Sequence, residues 1–174
     1  MELEKKIRSI PNHPIQGVTF RDITTLLKDG DALREAVDQM YEKTKDLDYD
    51  LVLGIEARGF ILGAALAYKK ACGFIPVRKP GKLPSDKLTK EYSLEYGNDA
   101  LEMHKDAIKP GQKILIVDDL LATGGTAGAV KELVEEAGGK PVGFCFLIEL
   151  DDLGGREDCH PYPVVSLIHF HEDE

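Results

Sequence analysis

The chain contains 174 residues, of which 43% are hydrophobic and 30% are charged, a composition typical of one globular domain spanning the whole sequence. Its formal net charge of −9 excludes proteins that bind nucleic acid through a basic face. The sequence has no apolar stretch of membrane-spanning length and no signal-peptide core at its first residues, so we expect a cytoplasmic protein with no membrane partner.

The first half of the chain alternates predicted helices with predicted strands. Prolines at 11 and 14 end the first helix, Asp31 is the expected N-cap of the second, and Gly73 closes the third. The spacing of the apolar residues distinguishes the helices from the short, fully apolar strands. The predicted elements are helices over residues 3–9, 31–45 and 60–72, and strands over residues 51–55 and 74–77.

Residues 79–98 form a polar stretch with two prolines and two glycines in which we predict no regular structure. A stretch of this length is unusual inside a compact domain and is typical of a mobile active-site loop. Leu101 and Met103 are expected on one face of a short strand after it. The remaining predicted elements are strands over residues 114–117, 142–150 and 164–168, and a helix over residues 127–137.

Strands that alternate with helices predict an α/β fold with an open, mainly parallel sheet and helices on both faces. In such a fold, ligands bind at the carboxyl ends of the strands. The motifs that follow two of these strands are therefore the candidates for a functional site.

The first motif occupies residues 114–129. A buried strand ends on Asp118 and Asp119, and a loop rich in glycine and threonine leads into a helix. The loop, Ala122 to Thr126, would offer backbone N–H groups, the positive helix end and two hydroxyls to a phosphate. The two acids suit vicinal hydroxyls. Phosphate at one end and a diol beside it describe a ribose 5-phosphate.

Two other nucleotide-binding motifs do not fit this stretch. A Walker loop requires a lysine directly after its second glycine, and no lysine occurs here before Lys131. A Rossmann fingerprint has its acid after the glycines, not before them.

The second motif, residues 54–60, reads Gly-Ile-Glu-Ala-Arg-Gly-Phe and again joins a strand to a helix. Alone it is typical of a tight turn with a solvated charge. Beside the first motif, the guanidinium of Arg58 is a candidate for holding a second phosphate group.

The aspartate pair and the Ala-Thr-Gly-Gly-Thr loop together resemble the 5-phosphoribosyl 1-pyrophosphate (PRPP) signature of type I phosphoribosyltransferases. Three more segments, residues 14–23, 77–84 and 91–97, resemble those of the adenine phosphoribosyltransferases. Taken in order with the first two motifs, they extend the resemblance over nearly the whole chain. The resemblance implies the reaction of adenine with PRPP to give AMP and pyrophosphate, with Mg²⁺ held mainly by PRPP and by no dedicated protein site. It also implies a homodimer, and it divides the chain into an N-terminal arm and base-binding hood (residues 1–30) and a mobile loop (79–98).

The resemblance also assigns roles to individual residues. The ribose and its 5-phosphate would be bound by Asp118, Asp119, Leu120, Leu121, Ala122, Thr123, Gly124, Gly125 and Thr126. Pyrophosphate would be bound by Arg58, Arg78, Lys79 and Lys82. Adenine would stack on Phe20, with its polar edge read by the backbone of Thr19 and Arg21. Arg58 and Glu95 are the expected catalytic residues, Glu95 handling the proton and Tyr96 lying beside it in the loop.

Histidines and cysteines give no separate metal prediction. His169 and His171 would share one face of a strand, but a third ligand is not evident in the sequence, so we predict ordinary surface residues. The three cysteines lack CxxC spacing and are expected as free thiols.

Two alternatives to the adenine enzyme stay open at the level of sequence. The first is a transferase for another base, such as xanthine, hypoxanthine or orotate, since base choice depends on a few contacts. The second is a non-catalytic regulator that senses PRPP or a purine, although such a protein would usually carry a DNA-binding module and a basic face.

Overall fold

The structure is a computed structural model that describes residues 1–94 and 97–171. Short 3₁₀ turns occur at Leu3–Lys6 and Asp151–Leu153. The helices are α1 (Thr24–Leu27), α2 (Gly30–Thr44), α3 (Arg58–Lys70), α4 (Gly125–Glu136) and α5 (Arg156–Cys159). The strands are β1 (Arg8–Ile10), β2 (Phe20–Asp22), β3 (Leu51–Ile55), β4 (Gly73–Val77), β5 (Lys87–Leu94), β6 (Gly97–His104), β7 (Lys113–Leu121), β8 (Lys140–Leu150) and β9 (Val164–Phe170).

A five-stranded parallel sheet in the order β4-β3-β7-β8-β9 forms the centre of the fold. The chain moves outward from β3 to β4, then crosses back to β7 on the other side of β3. The order of the strands therefore reverses between β3 and β7. Open parallel sheets bind ligands outside the carboxyl ends of the strands at such a point.

Two hydrophobic clusters cover the two faces of this sheet, because successive residues of a strand point to opposite sides. On one face, Val52 and Leu115 pack with α2 and α3. On the other face, Leu53 and Ile116 pack with α4 and with Leu101 and Met103 of β6. The predicted face of Leu101 and Met103 is therefore buried, and helices lie on both sides of the sheet as expected.

The stretch 79–98 differs from its prediction, because residues 87–94 form strand β5 and β6 begins at Gly97. Strand β5 pairs with β6 in an antiparallel hairpin, with Lys87 opposite His104 and Ser93 opposite Asn98. Leu88 and Tyr92 lie on one side of β5 and pack against the second cluster. The prolines and glycines that suggested a loop lie mostly before the strand or at its hairpin end, so they do not interrupt the pairing.

The N-terminal segment also differs from its prediction of a helix over residues 3–9. A single 3₁₀ turn is followed by β1, which pairs with β2 in a separate two-stranded sheet, with Ile10 opposite Phe20. Leu3 is buried against α2 and β9, so tertiary packing fixes this short segment where its own helix would have been too short to persist.

Three helix ends lie a few residues from their predicted positions. Asp29, not Asp31, caps α2, since its carboxylate accepts the backbone N–H groups of Asp31 and Ala32. Helix α3 ends at Ala71 in the left-handed conformation, with φ of 64°, and Gly73 already belongs to β4. Helix α4 begins at Gly125, two residues before the predicted start.

Strand β7 continues beyond the two acids that were expected to end it. Leu120 and Leu121 still pair with Ile148 and Glu149 of β8, because the long strand β8 offers partners as far as Leu150. Among the residues described, no helix has the length and apolar character needed to cross a bilayer.

Candidate active site

The two aspartates occupy the crevice where the strand order reverses. Asp119 is 6% exposed, and its backbone N–H donates a hydrogen bond of 2.8 Å to Oδ1 of Asp118. Burial, followed by the neighbouring charge of Asp119, raises the pKa of Asp118 well above its ordinary value. The two carboxylates therefore lie close together in a buried place, where the charged form of Asp118 is disfavoured. A ligand that donates hydroxyl hydrogen bonds to them would stabilise that charged form.

Arg58 bridges the crevice from the β3 side. It is the first residue of α3, and its Nε donates a hydrogen bond of 2.5 Å to Oδ2 of Asp119. This hydrogen bond raises the pKa of Arg58. The Arg58 side chain remains 48% exposed, so the guanidinium is paired yet accessible to an anion entering the crevice.

Close packing between the two motifs requires glycine at position 59. A Cβ on Gly59 would lie 2.9 Å from Oδ1 of Asp118 and 3.1 Å from the carbonyl oxygen of Val117. The glycine thus brings the start of α3 against the end of β7, which sets the spacing of Arg58 and Asp119.

The loop after β7, predicted to be an anion cradle, leads directly into the N-terminus of α4. Gly124 has φ of +95° and precedes the first residue of α4, whose N-terminus receives no side-chain cap. A Cβ on Gly124 would lie 2.6 Å from the carbonyl oxygen of Gly155, so the segment around α5 supports the loop from behind. Thr123 is exposed and Thr126 is half-buried. The free N–H groups of the first helical turn and these hydroxyls suit a phosphate.

Leu120 and Leu121 lie within β7 beside this loop. Leu121 is 2% exposed and belongs to the second cluster, whereas Leu120 packs against the first. Their side chains serve the core on opposite faces of the sheet. Ala122, which follows them, is half-buried at the entry to the cradle.

A second group of cations follows β4, next to the end of β3. Nε of Arg78 donates 3.0 Å to Oε1 of Glu56, and the backbone N–H of Lys79 donates 3.1 Å to the same oxygen. Burial opposes ionisation of Glu56, but these two hydrogen bonds lower its pKa overall. The Lys79 ammonium pairs with Asp99, and Lys82 is exposed.

The N-terminal hood covers Arg58. The guanidinium carbon of Arg58 lies 6.0 Å from the ring centre of Phe20, and the Phe20 ring makes an edge contact with His13 at 5.2 Å. Thr19 is half-buried beside it. Arg21 is buried, donates to Oγ of Ser9 and stacks on Phe170 at 4.0 Å, so its side chain anchors the hood to β9.

The described residues that were predicted to bind ribose phosphate, pyrophosphate and adenine therefore lie at one edge of the sheet, and so does the predicted catalytic residue Arg58. A family model for the phosphoribosyl transferase domain matches residues 22–174. The adenine phosphoribosyltransferase of Clostridium perfringens is 58% identical over 170 residues, which are 98% of this chain and 99% of that relative. The chain belongs to the phosphoribosyltransferase family.

Solved phosphoribosyltransferases share its fold. The adenine phosphoribosyltransferase of Thermoanaerobacter pseudethanolicus is 49% identical with a TM-score of 0.95, over 97% of this chain and 98% of that one. The enzyme of Saccharomyces cerevisiae, complexed with an imino-altritol bisphosphate and adenine, is 37% identical with a TM-score of 0.89, over 95% and 96% of the two chains. The predicted family, α/β fold, pentosyltransferase class and adenine phosphoribosyltransferase function are thereby confirmed.

Two predicted site residues of this phosphoribosyltransferase, Glu95 and Tyr96, lie outside the described residues. One residue with a role in the site was not singled out from the sequence. Glu56 accepts hydrogen bonds from Arg78 and from the backbone of Lys79. The sequence did contain a sign of this role, since Glu56 is a charged residue directly after a buried strand.

Proposed function

We propose that this chain transfers the 5-phosphoribosyl group of PRPP to adenine in the crevice between β3 and β7. The Arg58–Asp119 ion pair carries the proposal. It joins a cation suited to pyrophosphate and a carboxylate suited to the ribose diol across the point where the strand order reverses. In the reaction, the imidazole nitrogen of adenine forms the bond to the anomeric carbon as the bond from that carbon to pyrophosphate breaks. The proton on that nitrogen passes to an acceptor, a role that the loop motif assigns to Glu95.

The ribose end of PRPP lies along β7 and the cradle that follows it. Asp118 and Asp119 accept hydrogen bonds from the two hydroxyls, and the 5-phosphate lies at the start of α4 among Thr123 to Thr126. The raised pKa of Asp118 supports this arrangement, because hydroxyl donors would relieve its unfavourable environment.

The pyrophosphate end faces Arg58 and the cations after β4. Arg78 is oriented by Glu56, and Lys79 by Asp99. Lys82 adds an exposed positive charge. These groups stabilise the charge that develops on the departing pyrophosphate, an interaction that is stronger in the transition state than in the bound substrate.

Adenine binds under the hood, stacked on Phe20, with the backbone of Thr19 and Arg21 reading its polar edge. The ring of Phe20 lies above the guanidinium of Arg58, which supports a base position next to the reacting sugar. Backbone donors and acceptors discriminate an exocyclic amine from a carbonyl more sharply than stacking does.

Mg²⁺ is the cofactor of this proposal, and it would supply neutralisation of the pyrophosphate charge when bound. The carboxylates at this edge fit a metal held mainly by PRPP. Asp119 is paired with Arg58, and Glu56 is paired with Arg78, so these acids are already used in positioning cations. Asp118 and Asp119 would hold the ribose hydroxyls, and PRPP itself would supply most of the ligands of the metal.

We assign proton transfer to Glu95, which Tyr96 follows in the chain. This assignment depends only on the sequence motif of the loop. Residues 79–98 close over the substrates in this proposal and exclude water, which would otherwise hydrolyse the activated sugar. The approach of β5 to the cradle supports this closure, since a Cβ on Gly125 would lie 3.6 Å from the carbonyl oxygen of Ser93.

The proposed enzyme is a cytoplasmic homodimer. Helix α3 exposes Ile61 and Tyr68, which are 47% and 89% accessible, on the same side of the helix as exposed Ala64. An exposed apolar stripe of this kind suits a second copy of the chain. The three free cysteines suit a reducing compartment.

The experiment that tests the function offers PRPP and Mg²⁺ with adenine, hypoxanthine, guanine, xanthine or orotate in separate reactions. We expect AMP from adenine and little product from the other bases. Product from a different base would overturn the assignment of the hood. No product from any base, with PRPP still bound in a calorimetric titration, would favour the sensing regulator.

A further inference from the structure

His169 and His171 lie at the end of β9, on the side that faces the end of β8. In the parallel register, His169 is the partner of Glu149, and Phe170 is the partner of Leu150. Residues in register share a face, and residues two apart on a strand share a face as well. The sheet therefore directs Glu149 and His169 to the same side, and His171 follows directly after β9.

Asp151 supplies the ligand that was not evident from the sequence. It follows β8 directly, and its Oδ1 lies 2.7 Å from Nδ1 of His169. Its Oδ2 lies 3.7 Å from Nε2 of His171. Potential ligand atoms of Glu149, Asp151 and His169 all lie within 4.8 Å of one another. Distances of this size between ligand atoms are compatible with one ion bound to all of them.

Glu149 is fixed in place by side-chain donors. Arg156 donates to both of its oxygens through Nε and Nη2, and Oγ of Ser166 donates at 2.7 Å. The carboxylate held by these donors keeps an oxygen within 4.8 Å of the potential ligand atoms of Asp151 and His169.

We propose that Glu149, Asp151 and His169, with His171 beside Asp151, bind a divalent transition-metal ion such as Zn²⁺. A donor set in which an imidazole joins carboxylates suits Zn²⁺, Co²⁺ or Ni²⁺, whereas Mg²⁺ prefers oxygen donors alone. The side chains of His169, His171 and Asp151 are 42%, 57% and 27% exposed, so an ion reaches them from solvent. Binding replaces the hydrogen bond between His169 and Asp151.

The ion would tie β9 to the segment that supports the phosphate cradle. Asp151 begins the 3₁₀ turn that leads to Gly155 and α5, and a Cβ on Gly124 would lie 2.6 Å from the carbonyl oxygen of Gly155. The site is therefore a structural clip outside the crevice, distinct from the Mg²⁺ that accompanies PRPP.

The test titrates Co²⁺ into the tag-free full chain in the presence of excess Mg²⁺ and follows the visible ligand-field absorption, with Zn²⁺ added afterwards as competitor. We expect one Co²⁺ per chain, displaced by Zn²⁺. His169→Ala and Asp151→Asn should each weaken Co²⁺ binding at least about tenfold. His160→Gln is the matched control, because His160 is also exposed and lies outside the cluster; its binding should equal that of the unmodified chain.

Thermal unfolding provides a second readout that does not depend on absorption. An ion bound only to the folded chain raises Tm, and this rise should disappear in His169→Ala and persist in His160→Gln. Each variant is first checked for a cooperative transition without metal. Absence of binding by the unmodified chain, or equal binding by His169→Ala and Asp151→Asn, would overturn the proposal.

Discussion

At the scale of single residues, the contact between Arg58 and Asp119 joins the two sequence motifs of the site. The residues are 61 positions apart and meet only because β3 and β7 are neighbours. Asp119 is nearly buried, whereas Arg58 is half-exposed. The aspartate is thus the fixed partner, and the arginine is the one that can turn toward a ligand.

Asp119→Asn should lower kcat/KM for PRPP by about 10- to 100-fold, which is the range expected when a hydrogen bond to a charged group is lost. The asparagine keeps the size of the side chain but removes the charge that Arg58 and the ribose diol require. Initial rates at varied PRPP concentration measure the effect.

Asp46→Asn is the control for this substitution, since Asp46 is exposed and distant from the crevice in sequence and contacts. It should leave the kinetics unchanged. Equal kinetics of Asp119→Asn and the unmodified chain would remove the diol-binding role of Asp119.

At the scale of elements, the start of α4 depends on a backbone conformation that only glycine adopts readily. Gly124 combines a positive φ with close contact to Gly155. Gly30, which begins α2, has open space around its Cβ position. The two glycines therefore form a matched pair at the N-termini of two helices.

Gly124→Ala should destabilise the fold by about 1–3 kcal/mol and raise KM for PRPP, because the methyl group must displace Gly155 from behind the cradle. Gly30→Ala should be neutral or stabilise by up to about 1 kcal/mol. Urea unfolding and PRPP kinetics compare them. A Gly124→Ala chain as stable and active as Gly30→Ala would show that the cradle does not need this conformation.

The sequence predicted those elements whose pattern is local and missed those decided by distant partners. The apolar runs of β3 and β7 and the small-residue loop after Asp119 are readable directly, so the position of the crevice followed from them. Strand β5 was missed because the prolines before it and the glycine at its hairpin end suggested a loop, and its pairing with β6 cannot be read from local sequence. The left-handed end of α3 at Ala71 was missed because alanine carries no signal for that conformation.

In the site, too, the sequence predicted the residues of local motifs and missed those whose role depends on a distant partner. Arg58, the two aspartates and the cradle were predicted from strand ends, whereas the role of Glu56 depends on the geometry of Arg78 and Lys79 after another strand. Likewise, Asp151 meets His169 only through the register of β8 and β9. Spacing along the chain contains no information on such pairs.

At the scale of the whole molecule, the exposed stripe of α3 leads to the prediction on assembly. Tyr68→Glu should convert the proposed dimer to a monomer, because a buried, unpaired carboxylate at an interface is costly. Sedimentation velocity or light scattering measures the mass.

Leu153→Glu is the control for Tyr68→Glu, since Leu153 is 42% exposed and lies outside α3; it should leave the assembly unchanged. A monomeric unmodified chain, or a Tyr68→Glu chain that still dimerises fully, would contradict an interface on α3.

The two-stranded sheet of β1 and β2 is separate from the five-stranded sheet. In the proposed enzyme, the residues that recognise the base therefore lie on a different sheet from the residues that bind the sugar and the phosphates. Mutational drift in the hood can redirect the choice of nucleobase while the transfer machinery stays intact. Changes confined to a short N-terminal segment can in this way alter the base that is accepted, while the groups at the strand ends of the large sheet stay the same.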